Sequence, residues 1–129
     1  MKYLLIKHYR GGPEPVEGWT TMDRWTAEEV AAHVAHMNDL AGRLAVTGEF
    51  VGSTALSDDG VFVRSDGPGA LAQTPIPDAH DLVAGWMMID VASHERALEI
   101  AGELSAAPGA NGEPIREWLE LRSLHPGQH

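Results

Sequence analysis

The chain has 129 residues, a length that suits one domain with its own hydrophobic core. Nine basic and nineteen acidic residues give a formal net charge of −10, which repels phosphate backbones and anionic lipid, so neither nucleic acid nor membrane is an expected partner. The absence of cysteine excludes disulfides, thiolate metal sites and cysteine nucleophiles. The apolar run before Lys7 is too short for a signal peptide or a membrane span, and we expect a cytoplasmic protein.

The chain begins with a predicted strand over residues 2–9, which stops at the Gly- and Pro-rich segment that follows. The loop 11–25 contains Trp19 and Trp25. Because a solvated linker has little use for two such large apolar side chains, part of this loop should fold back onto the body.

A long helix is predicted to begin at Thr26, since the segment "TAEE" places Glu29 at the spacing of a capping box. Gly48 is positioned to end it. Apolar residues at helical spacing predict the inward stripe, which consists of Val30, Val34, Met37, Ala41 and Leu44.

Two strands, "EFVGSTAL" and "GVFVRS", follow and are predicted to form a hairpin around "SDDG", because Asp-Gly supplies the positive φ of a tight turn. A second turn, Asp66-Gly67-Pro68-Gly69, comes directly after them. The two prolines in "ALAQTPIPDAHD" exclude a helix and favour an extended excursion over residues 70–81.

The last third is predicted to hold a strand, a helix and a strand. The segment "LVAGWMMIDV" is apolar on both alternating faces, which indicates a strand buried on both sides. Ser93 can cap the helix, whose inward residues are predicted to be Ala97, Ala101 and Leu104. Ile115, Leu119 and Leu121 alternate as in a strand, and we predict one domain over residues 1–122 with a flexible tail over 123–129.

We interpret this order as strand, helix, strand, strand, helix, strand. It is the ferredoxin-like (βαββαβ) arrangement, an α+β fold in which both helices cover one face of an antiparallel sheet. The other face would be bare, and the strand ending at Val91 would expose large side chains there. We therefore expect a homodimer through the sheet faces, unless the Trp-bearing loop or the Pro-rich segment covers the face within one chain.

Five segments, "MKYLLIKHY", "GRLAVTGEFVGSTAL", "VRSDGPG", "GWMMIDV" and "ALEIAGEL", follow one another over nearly the whole chain. In this order they resemble the YCII-related domain family, specifically its Asp-Gly-Pro-Phe (DGPF) branch. The resemblance implies a ferredoxin-like dimeric α/β-barrel and a catalytic His-Asp pair with the histidine early on the first helix, where His33 is the closest match. The chain departs from the pattern at Gly69, where the branch has Phe, and at Val30, where the family has Arg.

His33 and Asp66 are the candidate catalytic residues. A helical step of about 100° per residue places His33 inside the apolar stripe, where it is either a general acid or base oriented by a carboxylate or a core residue bonded to a backbone carbonyl. Asp66 either leads its turn by accepting backbone N–H groups or orients His33 from the strand end.

Trp86 and Asp90 are the candidate ligand-binding residues, Trp86 in an apolar pocket for an aromatic ligand and Asp90 as a polar partner. Both also have structural readings, as core and as the lead-in to the next helix. No metal site is expected, because His33 and His36 diverge by about 60° on the helix and lack a third ligand. No cofactor is expected either, since the chain has no Gly-rich nucleotide-binding motif and no nucleophile elbow.

Two functions remain open from the sequence. The first is a cofactor-independent enzyme that acts on a small aromatic or carbonyl molecule, with His33 as acid or base and Asp66 as its orienting carboxylate. The second is a non-catalytic module that binds a ligand or a protein partner. Whether the protein is an enzyme is left undecided at this point.

Overall fold

A computed structural model describes residues 1–14, 18–77 and 81–125. Two α-helices and six strands lie within these ranges, with short 3₁₀ turns at Met22–Arg24 and Ala110–Gly112. In chain order the main elements are β1 Lys2–His8, α1 Ala27–Thr47, β2 Phe50–Ala55, β3 Val61–Ser65, β4 Leu71–Pro75, β5 Val83–Asp90, α2 His94–Ser105 and β6 Glu120–Ser123.

Four of the strands form one antiparallel sheet in the order β2-β5-β1-β6. Its central register pairs Leu5 with Met87 on one side and with Leu121 on the other. The fold is therefore α+β, with an antiparallel sheet and two helices, and it is compatible with a ferredoxin-like fold. Neither helix of the described chain is long and apolar enough to cross a lipid bilayer.

The hairpin predicted between β2 and β3 is wrong. The structure pairs β2 with β5, whereas β3 pairs with β4 in a separate two-stranded ribbon. The turn that closes this ribbon is the Asp-Gly-Pro-Gly segment, where Asp66 N–H donates to the Ala70 carbonyl oxygen at 3.0 Å and Gly67 and Gly69 adopt positive φ. The Pro-rich excursion thus contains a strand, and its residues 78–80 lie outside the described part of the chain.

Both predicted helix starts are confirmed. The Thr26 hydroxyl accepts from Glu29 N–H while the Glu29 carboxylate accepts from Thr26 N–H, which completes the capping box of α1. Gly48 ends α1 in the left-handed conformation, with φ of 80°. Ser93 caps α2 by accepting from Arg96 N–H at 3.1 Å.

The inward stripe of α1 differs from the prediction at two positions. Val34 is 46% exposed, whereas Leu40 is completely buried. The buried positions of α1 are His33, Leu40 and Leu44 at i, i+7 and i+11, so the stripe lies one helical position away from the predicted one. On α2, Ile100 is buried and Ala101 only half-buried, for the same reason.

The two faces of the sheet are unequally covered. Met87 and Ile89 of β5 are buried beneath the helices, while Trp86 and Met88 on the opposite face are half-buried. The strand is thus buried on one side only within this chain. We call the second surface the open face, defined by Leu4, Ile6, Trp86 and Met88.

The last strand is shorter than predicted. Strand β6 begins at Glu120, because Arg116 has a φ of 58°, which breaks an extended run. Its end is fixed by Leu124, whose N–H donates to the Lys2 carbonyl oxygen at 3.1 Å. Residues 126–129 of the predicted tail lie outside the described residues.

A buried lysine, histidine and glutamate as the candidate functional site

Lys7 lies at the end of β1 on the face that the helices cover, in alternation with Tyr3 and Leu5. Its β5 neighbour is Gly85, which is buried and has no side chain, so the lysine side chain is not displaced by a bulky cross-strand residue. Its ammonium nitrogen lies 3.3 Å from His33 Nε2 and 3.1 Å from Glu117 Oε1. These three residues form the Lys7–His33–Glu117 cluster.

His33 projects from the buried stripe of α1, and only 4% of its surface is exposed. Its Nδ1 lies 3.1 Å from the Pro108 backbone carbonyl oxygen, and the edge of Trp25 packs on the ring at a centroid distance of 5.4 Å. Because a carbonyl oxygen can only accept, Nδ1 carries the hydrogen and Nε2 presents its lone pair to the Lys7 ammonium.

This environment keeps the imidazole neutral. Burial, and next the positive charge of Lys7, lower the pKa of His33 from 6.5 to about 4, while the bond to the Pro108 carbonyl opposes that fall. At neutral pH His33 therefore accepts a hydrogen bond from Lys7 rather than carrying charge itself.

Glu117 comes from the irregular segment before β6, which is fixed on both sides. Arg116 N–H donates to the Ser105 carbonyl oxygen at 2.9 Å, and the Ser105 hydroxyl donates to the Glu117 carbonyl oxygen at 2.5 Å. Trp118 N–H donates to the Gly11 carbonyl oxygen at 2.8 Å. The backbone on either side thus directs the Glu117 side chain inward, where only 1% of it is exposed.

The carboxylate of Glu117 is incompletely bonded. Lys7 is its ion-pair partner, yet neither carboxylate oxygen has a well-aligned hydrogen-bond donor among the described residues. Burial raises the pKa of Glu117 above its usual range, and the Lys7 charge opposes that rise. Buried, under-bonded carboxylates are costly to keep and are uncommon outside sites that use them.

The cluster combines three chemical capacities. Lys7 supplies an ammonium donor, Glu117 a carboxyl group with a raised pKa, and neutral His33 a hydrogen-bond acceptor that orients the lysine. Lys7 is also the most accessible of the three, with 21% of its side chain exposed. A ligand that approaches from solvent would therefore meet Lys7 first.

The structure places the predicted catalytic residues apart in their contacts. His33 contacts Lys7, Pro108 and Trp25, whereas the Asp66 carboxylate is exposed at the tip of the β3–β4 ribbon, 3.4 Å from Arg64. Because Asp66 is held in a turn by its own backbone, the partner of His33 in the structure is Lys7. The catalytic role of either residue stays a prediction.

The predicted ligand-binding residues lie elsewhere. Trp86 is on the open face, opposite Ile6 in the register. The carboxylate of Asp90 accepts from the amino terminus of Met1 at 3.0 Å, and its N–H donates to the Glu49 carbonyl oxygen. Asp90 therefore ties the chain start to the end of β5, and neither residue contacts the cluster through the bonds described above.

The sequence gave no local signal for Lys7 and Glu117 as partners. Lys7 stands in a strand-forming run, where the alternation puts it on the same face as Leu5. Glu117 falls in a segment that we predicted as strand, where it would have been an outward residue between apolar ones. A charged residue at an inward position of the alternation was the one clue available.

The other features of the described residues are weaker candidates. A groove of about 380 Å³ lies between α1 and α2, but its two arginines are already paired, Arg43 with Asp39 and Glu103 and Arg96 with Glu49 and Glu99. No group of three or more His, Asp or Glu side chains in the described ranges is arranged to hold a metal ion. The cluster is thus the best-formed site in these parts of the chain.

The sheet, the two helices and the enclosed cluster define a small α+β domain with buried ionisable groups between a sheet and its covering elements. The chain belongs to the YCII-related domain family, whose sequence profile matches residues 1–118. The matched range contains all three members of the cluster. No curated protein matches the chain.

Proposed function

We propose that this protein is a cofactor-independent enzyme that transfers a proton on a small carbonyl compound at the Lys7–His33–Glu117 cluster. The observation that carries the proposal is the burial of an under-bonded carboxylate of raised pKa within 3.1 Å of a lysine ammonium. A carboxyl group of raised pKa is suited to general acid and base work near neutral pH.

The roles follow from the atoms. The Glu117 carboxylate removes a proton from the carbon next to the carbonyl group, and the electron pair of that C–H bond moves through the carbonyl carbon onto the oxygen. The Lys7 ammonium donates a hydrogen bond to this enolate oxygen and stabilises its charge. Return of the proton from Glu117 to carbon restores the carbonyl group, so the step needs no co-reactant.

His33 serves this reaction as a positioning residue. Since its pKa is about 4, it does not compete with Glu117 as a base at neutral pH. Its lone pair holds the Lys7 ammonium, and the Pro108 carbonyl holds the ring. This replaces the role of general acid or base that the sequence suggested, and it leaves Asp66 outside the site.

The charge of the chain favours neutral substrates. A formal net charge of −10 repels anions, and the Lys7 ammonium is already balanced by Glu117. A small aldehyde or ketone therefore fits the cluster better than a keto acid. Trp25, packed against His33, supplies an aromatic neighbour for a substrate with an aromatic ring.

Deuterium incorporation tests the proposal. Acetone and phenylacetone are incubated in D₂O with the protein, and proton NMR follows the loss of the signals next to the carbonyl. We expect the wild type to accelerate exchange, with phenylacetone favoured, and Glu117→Gln to lose the acceleration. Glu113→Gln, an exposed carboxylate nearby, is the matched control, and absence of acceleration by the wild type for both ketones refutes the proposal.

The alternative is a module that binds the same ligands without turnover. It predicts saturable binding of phenylacetone, seen as line broadening in the same spectra, with no exchange. The deuterium experiment separates the two because binding and exchange are read from one sample.

We further propose that two copies pair through their open faces into a dimeric ferredoxin-like barrel of the βαββαβ type, in the Asp-Gly-Pro-Phe branch. The half-buried Trp86 and Met88 beside Leu4 and Ile6 support this, since a soluble monomer rarely leaves such a contiguous apolar surface uncovered. Without the β3–β4 ribbon, the order of the sheet elements is that of the βαββαβ type. Light scattering should give twice the chain mass at micromolar concentration, and a monomer there contradicts the pairing.

A further inference from the structure

The chain has two lysines, Lys2 and Lys7, beside seven arginines. One of the two is the lysine of the buried cluster. We propose that Lys7 is a covalent nucleophile that forms a Schiff base with a small neutral aldehyde or ketone. The inference rests on the proposed function, because it places the covalent step at the same site, and it changes the role of Lys7 from hydrogen-bond donor to reacting amine.

The neighbours of Lys7 are arranged to release its proton. An amine attacks a carbonyl only when it is deprotonated, so a Schiff-base lysine needs an acceptor for its proton and an environment that tolerates the neutral amine. Glu117 is that acceptor, 3.1 Å from Nζ and almost completely buried. When the proton moves from Lys7 to Glu117, a buried ion pair becomes a neutral pair, which a poorly solvated site tolerates more readily than separated charges.

His33 keeps the amine from wandering. Its Nε2 accepts a hydrogen bond from Nζ at 3.3 Å, and it remains an acceptor whether the lysine is charged or neutral. Because the Pro108 carbonyl fixes the opposite ring nitrogen, the ring cannot turn to present a donor. The position of Nζ is thus set by one acceptor and one carboxyl group, with the exposed part of the side chain left for the carbonyl compound.

The covalent step balances within the cluster. The neutral Nζ attacks the carbonyl carbon, a C–N bond forms, and the π pair moves onto oxygen, which takes a proton as nitrogen loses one, giving a neutral carbinolamine. The Glu117 carboxyl group then protonates the hydroxyl, the C–O bond breaks, and water leaves. The products are a protonated Schiff base, one water and the Glu117 carboxylate, so the net charge is unchanged and no oxidant or reductant takes part.

The other amines of the chain lack this arrangement. Lys2 precedes the open-face residue Leu4 at the exposed start of β1, and no ion pair of the described residues involves its side chain. The amino terminus of Met1 donates to the Asp90 carboxylate and to the Val91 carbonyl oxygen. Lys2 therefore serves as a matched internal control for Lys7.

Reductive trapping tests the inference on the intact protein. The wild type is incubated with propanal and sodium cyanoborohydride, which reduces a Schiff base to a stable propyl amine, and tandem mass spectrometry reads modification at Met1, Lys2 and Lys7 separately. We expect Lys7 to be modified about tenfold faster than Lys2 at neutral pH, as befits an amine beside a proton acceptor. Modification of Lys2 at a rate equal to or above that of Lys7 overturns the inference.

Variants sharpen the reading. Glu117→Gln should reduce Lys7 modification about tenfold while leaving Lys2 modification unchanged, because it removes the proton acceptor. Lys2→Arg should leave the rate at Lys7 unchanged. If Glu117→Gln fails to fold, as judged by circular dichroism, the comparison of Lys7 with Lys2 in the wild type still decides the question.

The two proposals fail separately. Deuterium exchange without trapping at Lys7 overturns the Schiff base and leaves proton transfer with Lys7 as a hydrogen-bond donor. Trapping at Lys7 without exchange supports the nucleophile and refutes proton transfer at carbon. Absence of both refutes both.

Discussion

The neutral state of His33 makes a sharp prediction about the pH dependence of stability. The perturbation is His33→Gln, which keeps one hydrogen-bond donor for the Pro108 carbonyl and one acceptor for Lys7 but cannot take up a proton. In the unfolded wild type the histidine titrates near its ordinary pKa of 6.5, whereas in the folded protein its pKa is about 4. As the pH falls through this window the unfolded state binds the proton first, so the wild type loses stability that the variant keeps.

The size of the effect follows from the two pKa values. Each pKa unit corresponds to about 1.4 kcal/mol, so the free energy of unfolding of the wild type, relative to His33→Gln, should fall by about 2 kcal/mol between pH 7 and pH 5. At pH 4 the relative loss should reach roughly 3 kcal/mol, and above pH 6.5 it should vanish. Glu117 acts in the opposite sense, because its raised pKa lets the folded state bind a proton first. Since Glu117, Lys7 and His36, the charged or titratable groups facing His33, are present in both proteins, their contributions largely cancel in the difference.

Urea unfolding followed by tryptophan fluorescence at pH 4, 5, 6 and 7 measures the difference at one fixed protein concentration, which keeps any association equal. Proton NMR titration of His33 gives the folded pKa independently, and Asp66→Asn should leave it unchanged because Asp66 is paired with Arg64. Stability curves of the two proteins that stay parallel within about 0.5 kcal/mol from pH 7 to pH 5 refute the reasoning.

Two further predictions concern the fold. Leu40→Ala should lower the free energy of unfolding by about 2–5 kcal/mol, because Leu40 is completely buried, whereas Val34→Ala on the exposed side should change it by less than about 0.5 kcal/mol, and equal losses by urea denaturation would show that the stripe is misplaced. Gly12→Ala should cost about 2 kcal/mol or more, since the new Cβ would lie 2.3 Å from the Trp118 Cβ at a φ of 126°. Gly42→Ala, in an exposed helical position with open space, should instead stabilise by up to about 1 kcal/mol, and a melting temperature that moves the same way for both glycines would contradict this account.

The features that sequence reasoning found correctly are local ones. The capping box at Thr26 and Glu29, the left-handed end at Gly48 and the cap at Ser93 each depend on residues within one helical turn, so their chemistry is legible in the chain. His33 was correctly placed on the buried side of its helix by the same kind of periodicity. The neighbouring Val34 was misplaced because a run of small and apolar residues fits two adjacent stripes equally well.

The features that were missed depend on contacts between distant segments. Two adjacent Asp-Gly turns could each close a hairpin, and the choice between them was decided by β5, which takes β2 as its neighbour and leaves β3 to pair with β4. The ion pair of Lys7 and Glu117 joins the first strand to the last irregular segment, and no spacing rule links residues so far apart. The site was therefore half visible: its histidine could be found, but its partners required the fold.

The alternation of β1 also separates the two proposals made for this chain. Lys7 faces the helices and meets Glu117, while the next residue, His8, meets Glu120 at 2.8 Å on the side of the open face. Because the sheet itself lies between the two surfaces, a change on the open face should alter association without reaching the cluster. Trp86→Ala should thus weaken the dimer in light scattering and leave the trapping of Lys7 by propanal unchanged. If it abolished trapping as well, the site would have to include residues from the open face or from a second copy, and the cluster of one chain would not suffice.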